Sequence, residues 1–438
     1  MSNLGPQGLG GSEADGRITT VPPAIPAPGP RRRGSRLKVT VIAWNVSHNP
    51  LGRAYLLADA LRNDFDVELV GSIFPPHGNE IWKPLQESRV PLKWFLGSDF
   101  PAYFNQLEKV AAKLDGDVIL VSKPRLPSYA LGILLKTIRN RPLILDIDDY
   151  ELGFFPDRSP TQPDPADKAE ADRDFYHPWG LQWTRYCDDL VRCADSITVS
   201  NLELQKRYGG EIIHHMRDEA LFDPARFDRD AIRAEFGYGG TDRIILFIGT
   251  PNVHKGIEDI AKALHALRNP KYRLCVTGAN TALRQRLSRF ENAQIDFLPP
   301  QSFHDLPRHL CLADLICLPQ SGSSITSRYQ MPAKFTDALS MEIPVLGTNV
   351  PPLANAAGEG LIELLGEQPI HEKIDTIFNN YDNYKERAVR NRNVFLKEYS
   401  YAANRPKLIR IIEDRLKTCP VVPLEFENLL KLHRRIWR

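Results

Sequence analysis

Two successive series of apolar strands alternating with amphipathic helices, over residues 37–215 and 240–400, constrain the fold of this chain more than anything else in it. A strand–helix–strand unit lays its second strand parallel to the first. Such a series therefore builds a parallel sheet with helices on both faces. Two series within 438 residues predict two doubly wound α/β domains. Ligands of such sheets bind outside the carboxyl ends of the strands, where the strand order reverses. Function is therefore sought in the loops that follow the strands.

In the first series, residues 38–43 read as a buried strand, and the helix after it carries Leu56, Leu57 and Leu61. The loop between them, Asn45-Val46-Ser47-His48-Asn49-Pro50-Leu51-Gly52-Arg53, is not G-x-G-x-x-G, which argues against a dinucleotide. Gly52 still permits close backbone approach at the helix start. A strand at 117–121 leads into Ser122-Lys123-Pro124-Arg125-Leu126-Pro127-Ser128, with Ser128 as the expected helix cap. The strand at 143–147 ends in Asp146-Ile147-Asp148-Asp149-Tyr150-Glu151, four acids in six residues. Three roles compete for them: oxygen ligation of a divalent metal, hydrogen bonding to an acceptor's hydroxyls or amines, and capping with retention of basic neighbours. The second ranks first, because further metal ligands are not evident. Residues 152–185 form a long connection, rich in proline and then in aromatics at Phe175-Tyr176-His177-Pro178-Trp179. Such a run suits stacking on a sugar, contact with a membrane face, or simple docking on the domain surface. His214 and His215 alternate faces of an extended chain, so they do not form a two-histidine zinc face.

The second series opens with a strand at 244–248 and the loop Gly249-Thr250-Pro251-Asn252-Val253-His254-Lys255-Gly256. Ile257, Ile260, Ala261, Leu264 and Leu267 then share one helical face. Strand, glycine loop, lysine and helix start have the geometry of phosphate binding without a Walker sequence, and taken alone they also read as an exposed lysine in a turn. Further strands fall at 273–278, 294–298 and 314–319. The stretch Gln330–Thr348, QMPAKFTDALSMEIPVLGT, reads as loop, helix and strand. Pro332 fits the first helical position, Phe335, Ala338 and Leu339 share a buried face, and Lys334 and Asp337 share another. Alone, this is an ordinary helix with a surface ion pair, or an anion site with a carboxylate one turn in to hold vicinal hydroxyls.

A net charge of +2 gives no polyanion signal, so no nucleic-acid partner is expected. The six cysteines (187, 193, 275, 311, 317, 419) contain no C-x-x-C and read as small buried hydrophobes of a reducing compartment. No apolar run reaches the ~18 residues of a membrane span, and no secretory h-region is present. A cytoplasmic protein is expected, with peripheral contact at the inner membrane face left open. Residues 1–36, rich in Gly, Pro and Ser and ending in Arg31-Arg32-Arg33-Gly34-Ser35-Arg36, read as a disordered tail. The expected divisions are this tail, an N-terminal domain over 37–220, a C-terminal domain over 221–404, and a helical tail over 405–438 that crosses back to the first domain.

Four segments in this order resemble the GT-B glycosyltransferases, in particular the large retaining family 4. Phe247 through Gly256 looks like that family's strand–glycine–basic–KG motif. Residues 194–200 followed by Ile213-His214-His215-Met216-Arg217-Asp218 look like its run before the interdomain linker. Residues 297–319 look like the segment flanking the nucleobase, and Pro332–Thr348 like the carboxylate-bearing helix and the strand after it. The resemblance implies two Rossmann-like domains facing across a cleft, with a nucleotide-diphosphate-sugar donor on the second. It implies donor binding by Gly52, Gly249, Thr250, Lys255, Gly278, Pro299, Met331, Pro332, Ala333, Lys334 and Asp337. Asp337 takes the ribose-holding position and Lys255 the diphosphate position. The acceptor, a small molecule, lipid-linked sugar or glycan, is expected against His48, Asn49, Arg53, Lys123, Arg125, Asp146 and Asp149. Asp148 and Lys255 are the expected catalytic groups, Asp148 near the place where many members carry a histidine beside the donor sugar. No cofactor or metal is expected to be required.

Two departures stand out: Thr250 replaces a basic residue, and Tyr329, eight residues before Asp337, breaks the E-x7-E pattern. They keep other readings open: a non-catalytic nucleotide-sugar-binding scaffold, a sugar-nucleotide epimerase, or pseudo-glycosyl transfer to an amine.

Overall fold

The computed structural model describes residues 36–155, 174–249 and 255–418. The expected tail apart from Arg36, the proline-rich part of the long connection, Thr250 and Cys419 lie outside the described residues.

The first domain is one seven-stranded parallel sheet. Its strands are β1 (Lys38–Ala43), β2 (Asp66–Ile73), β3 (Leu92–Leu96), β4 (Val118–Ser122), β5 (Leu143–Ile147), β6 (Ser196–Val199) and β7 (Glu211–Ile212), in the order β3-β2-β1-β4-β5-β6-β7. Between them run α1 (Leu51–Leu61), α2 (Ala102–Ala111), α3 (Leu126–Arg139), α4 (Leu181–Asp189) and α5 (Leu202–Tyr208). The order reverses between β1 and β4, so the crevice opens there. β1, β4 and β5 are nearly unbroken apolar runs because helices cover both faces. The sequence reading passed over β3, a half-exposed edge strand whose Lys93 reaches Glu68 of β2 at 2.6 Å. Its alternation is too weak to mark a strand by pattern.

The second domain carries α6 (Arg229–Glu235), β8 (Arg243–Phe247), α7 (Ile257–Leu267), β9 (Tyr272–Thr277), α8 (Thr281–Leu287), β10 (Gln294–Leu298), α9 (Leu306–Leu310) and β11 (Ile316–Leu318). It continues through α10 (Ile325–Tyr329), α11 (Ala333–Ser340), β12 (Val345–Gly347), α12 (Pro351–Gly358), β13 (Glu363–Leu364), α13 (Ile370–Asn379) and α14 (Tyr381–Val394). Two parallel ladders, β10-β9-β8 and β11-β12-β13, meet at a parallel bridge between Ile245 and Leu315. This seam is the second reversal of strand order. Asp314 pins it, fully buried, by accepting from Ile244 N, Arg229 and Arg233 at 2.7–2.9 Å.

The chain crosses between domains twice, and the crossings pair with each other. Arg217 N donates to Tyr399 O at 3.0 Å, and Tyr401 N donates to Arg217 O at 2.9 Å. The last helix, α15 (Tyr401–Leu416), lies on α1 of the first domain. Its Leu408, Ile411 and Ile412 join that domain's core, and Tyr401 Oη donates to Asp59 at 3.0 Å. The change of domain thus falls at Ser400 rather than at 405. The two carboxyl-end faces are joined across the cleft: Gln330 Nε2 donates to Asp149, Asn201 Nδ2 to Tyr329 O, and Thr326 Oγ1 to Gly153 O, at 2.7–2.8 Å.

Candidate active site

Lys123 organises the acidic side of the cleft. It leaves β4 in a left-handed conformation (φ 72°), which a side chain adopts at a cost of about 1–2 kcal/mol. The turn is held by Lys123 N donating to Asp146 O and by Ser128 Oγ donating to Lys123 O. Ser128 therefore sits inside the first turn of α3, and Arg125 takes the cap position. The conformation turns the ammonium into the crevice, 2.6 Å from Asp148 Oδ1, 2.8 Å from Asp149 Oδ2 and 2.9 Å from Glu151 Oε1. Those three carboxylates lie close enough to grip a cation, and here they grip the lysine. Burial pushes the Asp148 carboxyl up to about 7 against the pull of Lys123, with Asp149 adding to the rise. Asp149 lies lower than usual: burial opposes ionisation, but Lys123 and the Gln330 amide outweigh it.

Arg53 and Asp146, expected at the acceptor, form an internal tie instead. Arg53 Nε and Nη2 clasp Asp146 at 2.9 and 2.8 Å, and the guanidinium also donates to Ile213 O and His214 O at 2.7 Å. Thr198 Oγ1 fills a further lone pair of Asp146 at 2.7 Å. Four of the guanidinium's five N–H groups are thereby used, and the pair is sealed in the protein. It bolts α1 to β5 and to the first crossing.

His48 and Arg125 stand at the crevice, in a cluster that sequence reading saw only in part. His48 stacks on His77 (centroids 4.9 Å, 11° between planes), and Trp44 meets both edge-on. Trp179 closes the far side, 5.2 Å from His77, and Arg125 lies over the Trp44 ring at 4.8 Å while donating to Trp179 O. Burial drives His48 down to about 3, with His77 and Arg125 nearby disfavouring a second charge. His77 is lowered by burial too, with Arg125 and His177 disfavouring a further charge. Asn49 is exposed at the rim.

On the opposite wall, Gly249 adopts φ 106° at the end of β8. A side chain there would stand 3.7 Å from Lys334 Nζ. That ammonium lies over the Phe247 ring at 4.5 Å and is held well below its usual range by burial and by Lys255 beside it. Burial lowers Lys255 to about 8, with Asp149 across the cleft opposing the drop. Two desolvated ammoniums, with Lys255 further depressing Lys334, are a site built for an anion. α11 begins beside them. Its cap is Pro332, so the helix starts one residue later than expected, at Ala333, and no side chain caps its N-terminus. Gly278 (φ 72°) and the exposed Pro299 lie at the carboxyl ends of β9 and β10.

Three donor expectations change. Met331 is buried in the second domain's core with Phe335 rather than lining the cleft. The open side of Gly52 is filled by the Trp82 ring, 3.5 Å from where a side chain would begin. Asp337 is no surface partner of Lys334: its Oδ1 accepts from Arg217 Nε of the first crossing at 2.7 Å, both groups buried. A ribose would share this carboxylate with Arg217.

His77, Trp179, Glu151, Gln330, Arg217 and His215 are the residues the sequence reading missed or left without a role. The two adjacent histidines do face apart. His214 packs on Tyr399 at 4.3 Å, while His215 is buried near Asp149 and Lys123. The aromatic run at 175–179 and the acid run at 146–151 were the available signals. His77 had none, since it comes from a short turn beyond β2.

Residues 228–394 match the family described as glycosyl transferases group 1. The matched stretch lies in the C-terminal domain. No curated protein matches the chain in sequence. Among solved structures, HepE of Anabaena in complex with UDP-glucose is 13% identical with a TM-score of 0.64, over 86% of this chain and 100% of that one. A glycosyltransferase of Rickettsia africae is 13% identical with a TM-score of 0.63, over 87% and 99%. Sucrose-phosphate synthase of Thermosynechococcus elongatus is 15% identical with a TM-score of 0.62, over 86% and 99%. Likeness at such identity carries the fold, and the fold is GT-B. The matched family and the GT-B fold both point to glycosyl transfer. Among the described residues, no helix is long and apolar enough to cross a membrane.

Proposed function

We propose that this chain transfers a hexosyl unit from a uridine-diphosphate sugar, with retention, to an acceptor hydroxyl held by the first domain. The observation that carries the reading is the meeting of two half-sites. Lys255, Lys334, Gly249 and the uncapped start of α11 form one wall, and the Lys123–Asp148–Asp149–Glu151 cluster forms the other. UDP and UDP-glucose in the HepE structures support the choice of nucleotide.

In this reading the donor diphosphate lies between Lys255 and Lys334, with the first N–H groups of α11 directed at it. As the glycosidic bond breaks, charge grows on the leaving diphosphate, and fixed cations in an enclosed site stabilise it without reorganising. Asp337, steadied by Arg217, accepts from the ribose hydroxyls. Asp148 orients the acceptor hydroxyl, and the leaving phosphate takes its proton. Lys255 and Lys334 perform the charge neutralisation that a divalent metal would otherwise supply, while Lys123 holds the three carboxylates.

The test is acceptor-dependent UDP release from UDP-glucose, measured with and without chelator. Transfer that survives the chelator supports the lysine-based site. Loss of transfer, restored by a divalent ion, overturns the metal-free reading. UDP released from UDP-N-acetylglucosamine without any acceptor, together with a free isomerised sugar, would make the protein an epimerase.

A further inference from the structure

Unsatisfied polar groups collect at one place in this molecule. Among the described residues, fourteen buried side-chain nitrogens and oxygens lack a hydrogen-bond partner. Six of them, Trp44 Nε1, Asn45 Nδ2, His48 Nδ1, His77 Nε2, Ser122 Oγ and Arg125 Nε, lie at the carboxyl ends of β1, β2 and β4. Trp44, Asn45, Ser122 and Arg125 are each more than nine-tenths buried. A buried polar atom left unpaired costs about 1–3 kcal/mol. Six at the mouth of one crevice mark a surface that a ligand completes.

The kinds of atom identify the ligand. Trp44, Asn45 and Arg125 offer N–H donors. Ser122 and the two neutral imidazoles can each both donate and accept. A phosphate or carboxylate offers acceptors alone and would leave the accepting capacity of Ser122 and the imidazoles unused. An ammonium offers donors alone and would confront the Trp44 and Arg125 N–H groups. A hydroxyl does both, and a pyranose carries several around a C–H face that packs on aromatic rings. Such rings are present: His48, His77 and Trp179 are half-buried at the crevice and stand within 5.2 Å of their neighbours.

We propose that the acceptor is a neutral carbohydrate, its terminal sugar held among Trp44, His48, His77 and Trp179, in place of a phosphorylated or amino acceptor. This deepens the function proposed above and rests on it.

Saturation-transfer NMR on the full chain tests this without turnover. The probes are methyl glycosides of glucose, galactose, mannose and N-acetylglucosamine, beside the corresponding sugar phosphates and amino sugars, with UDP in the same tube. Neutral glycosides are expected to give signal, reduced about tenfold in Trp179→Ala and His77→Ala, as for truncation of a binding hot spot. UDP signal should persist in both variants. Trp179→Phe keeps a stacking ring and should retain most of the glycoside signal, which separates a lost contact from a lost fold. Signal from phosphates or amino sugars alone, silence from every neutral glycoside, or glycoside binding indifferent to both alanine variants overturns the proposal. Absence of UDP signal in the unaltered chain counts against the nucleotide-donor reading, and the sugar probes still decide this one.

Discussion

Lys255 and Asp148 face each other's walls with displaced ionisation, and each makes a pH prediction. Lys255 is lowered to about 8 from 10.5, so above about 8 the empty site holds a neutral amine. A bound diphosphate favours the ammonium and raises that value. Between about 8 and 10.5, UDP binding should therefore take up a proton and weaken as pH rises. Calorimetry in buffers of different ionisation enthalpy reads the proton directly, and Lys255→Met should abolish it. Asp148 is raised to about 7, so its carboxylate form dominates only above that pH. Turnover should climb through about 7 and lose this limb in Asp148→Asn. The Asn variant should be slower by roughly 10²-fold, the scale of misplacing a reacting group. UDP affinity should stay put. A matched loss of UDP binding would move Asp148 to the donor wall or to the scaffold.

At the scale of elements, α11 ties the nucleotide site to the first crossing through Asp337 and Arg217. Removing one partner of a buried ion pair strands the other charge and costs about 3–5 kcal/mol. Asp337→Ala should thus lower the denaturant midpoint markedly, and Arg217→Met in the same chain should recover part of that loss. UDP affinity should also fall by ~1–3 kcal/mol, for the lost charged hydrogen bonds to ribose. Recovery of stability without recovery of affinity separates the two roles. The pairing illustrates what the sequence shows and hides. The helix, its Phe335–Ala338–Leu339 core face and the following strand are legible, because period and burial are local properties. The partner of Asp337 is not legible, since Arg217 lies 120 residues away and meets it only once both domains are folded. The same holds for Arg53 with Asp146, expected against an acceptor and found as an internal clamp between residues 93 apart. It holds also for Gly52, whose open side depends on a Trp82 placed by another loop. β3 was missed for a different reason: a half-exposed edge strand carries little pattern.

For the whole molecule, the question is what holds the cleft closed during transfer. Gln330 sits between Tyr329, which replaces the expected first glutamate, and the donor helix, and its amide reaches across to Asp149 at 2.7 Å. Tyr329 itself packs on Tyr150 of the first domain at 5.1 Å, and its carbonyl accepts from Asn201. The segment that would bear a sugar-reading acid thus bears a latch between domains. A hydrogen bond to a charged partner contributes about 1.5–3 kcal/mol, enough to shift an open–closed equilibrium by roughly ten- to a hundredfold. Gln330→Ala should then lower kcat about tenfold while leaving UDP affinity within a few fold. Because closure also excludes water, the variant should hydrolyse more donor for each sugar transferred. Gln330→Glu should do worse, since it sets a second carboxylate against Asp149. The measurement is the ratio of acceptor-independent to acceptor-dependent UDP release. An unchanged ratio in both variants would show that closure rests on the Tyr329 and Thr326 contacts, and the role of Gln330 would then lie in the donor wall.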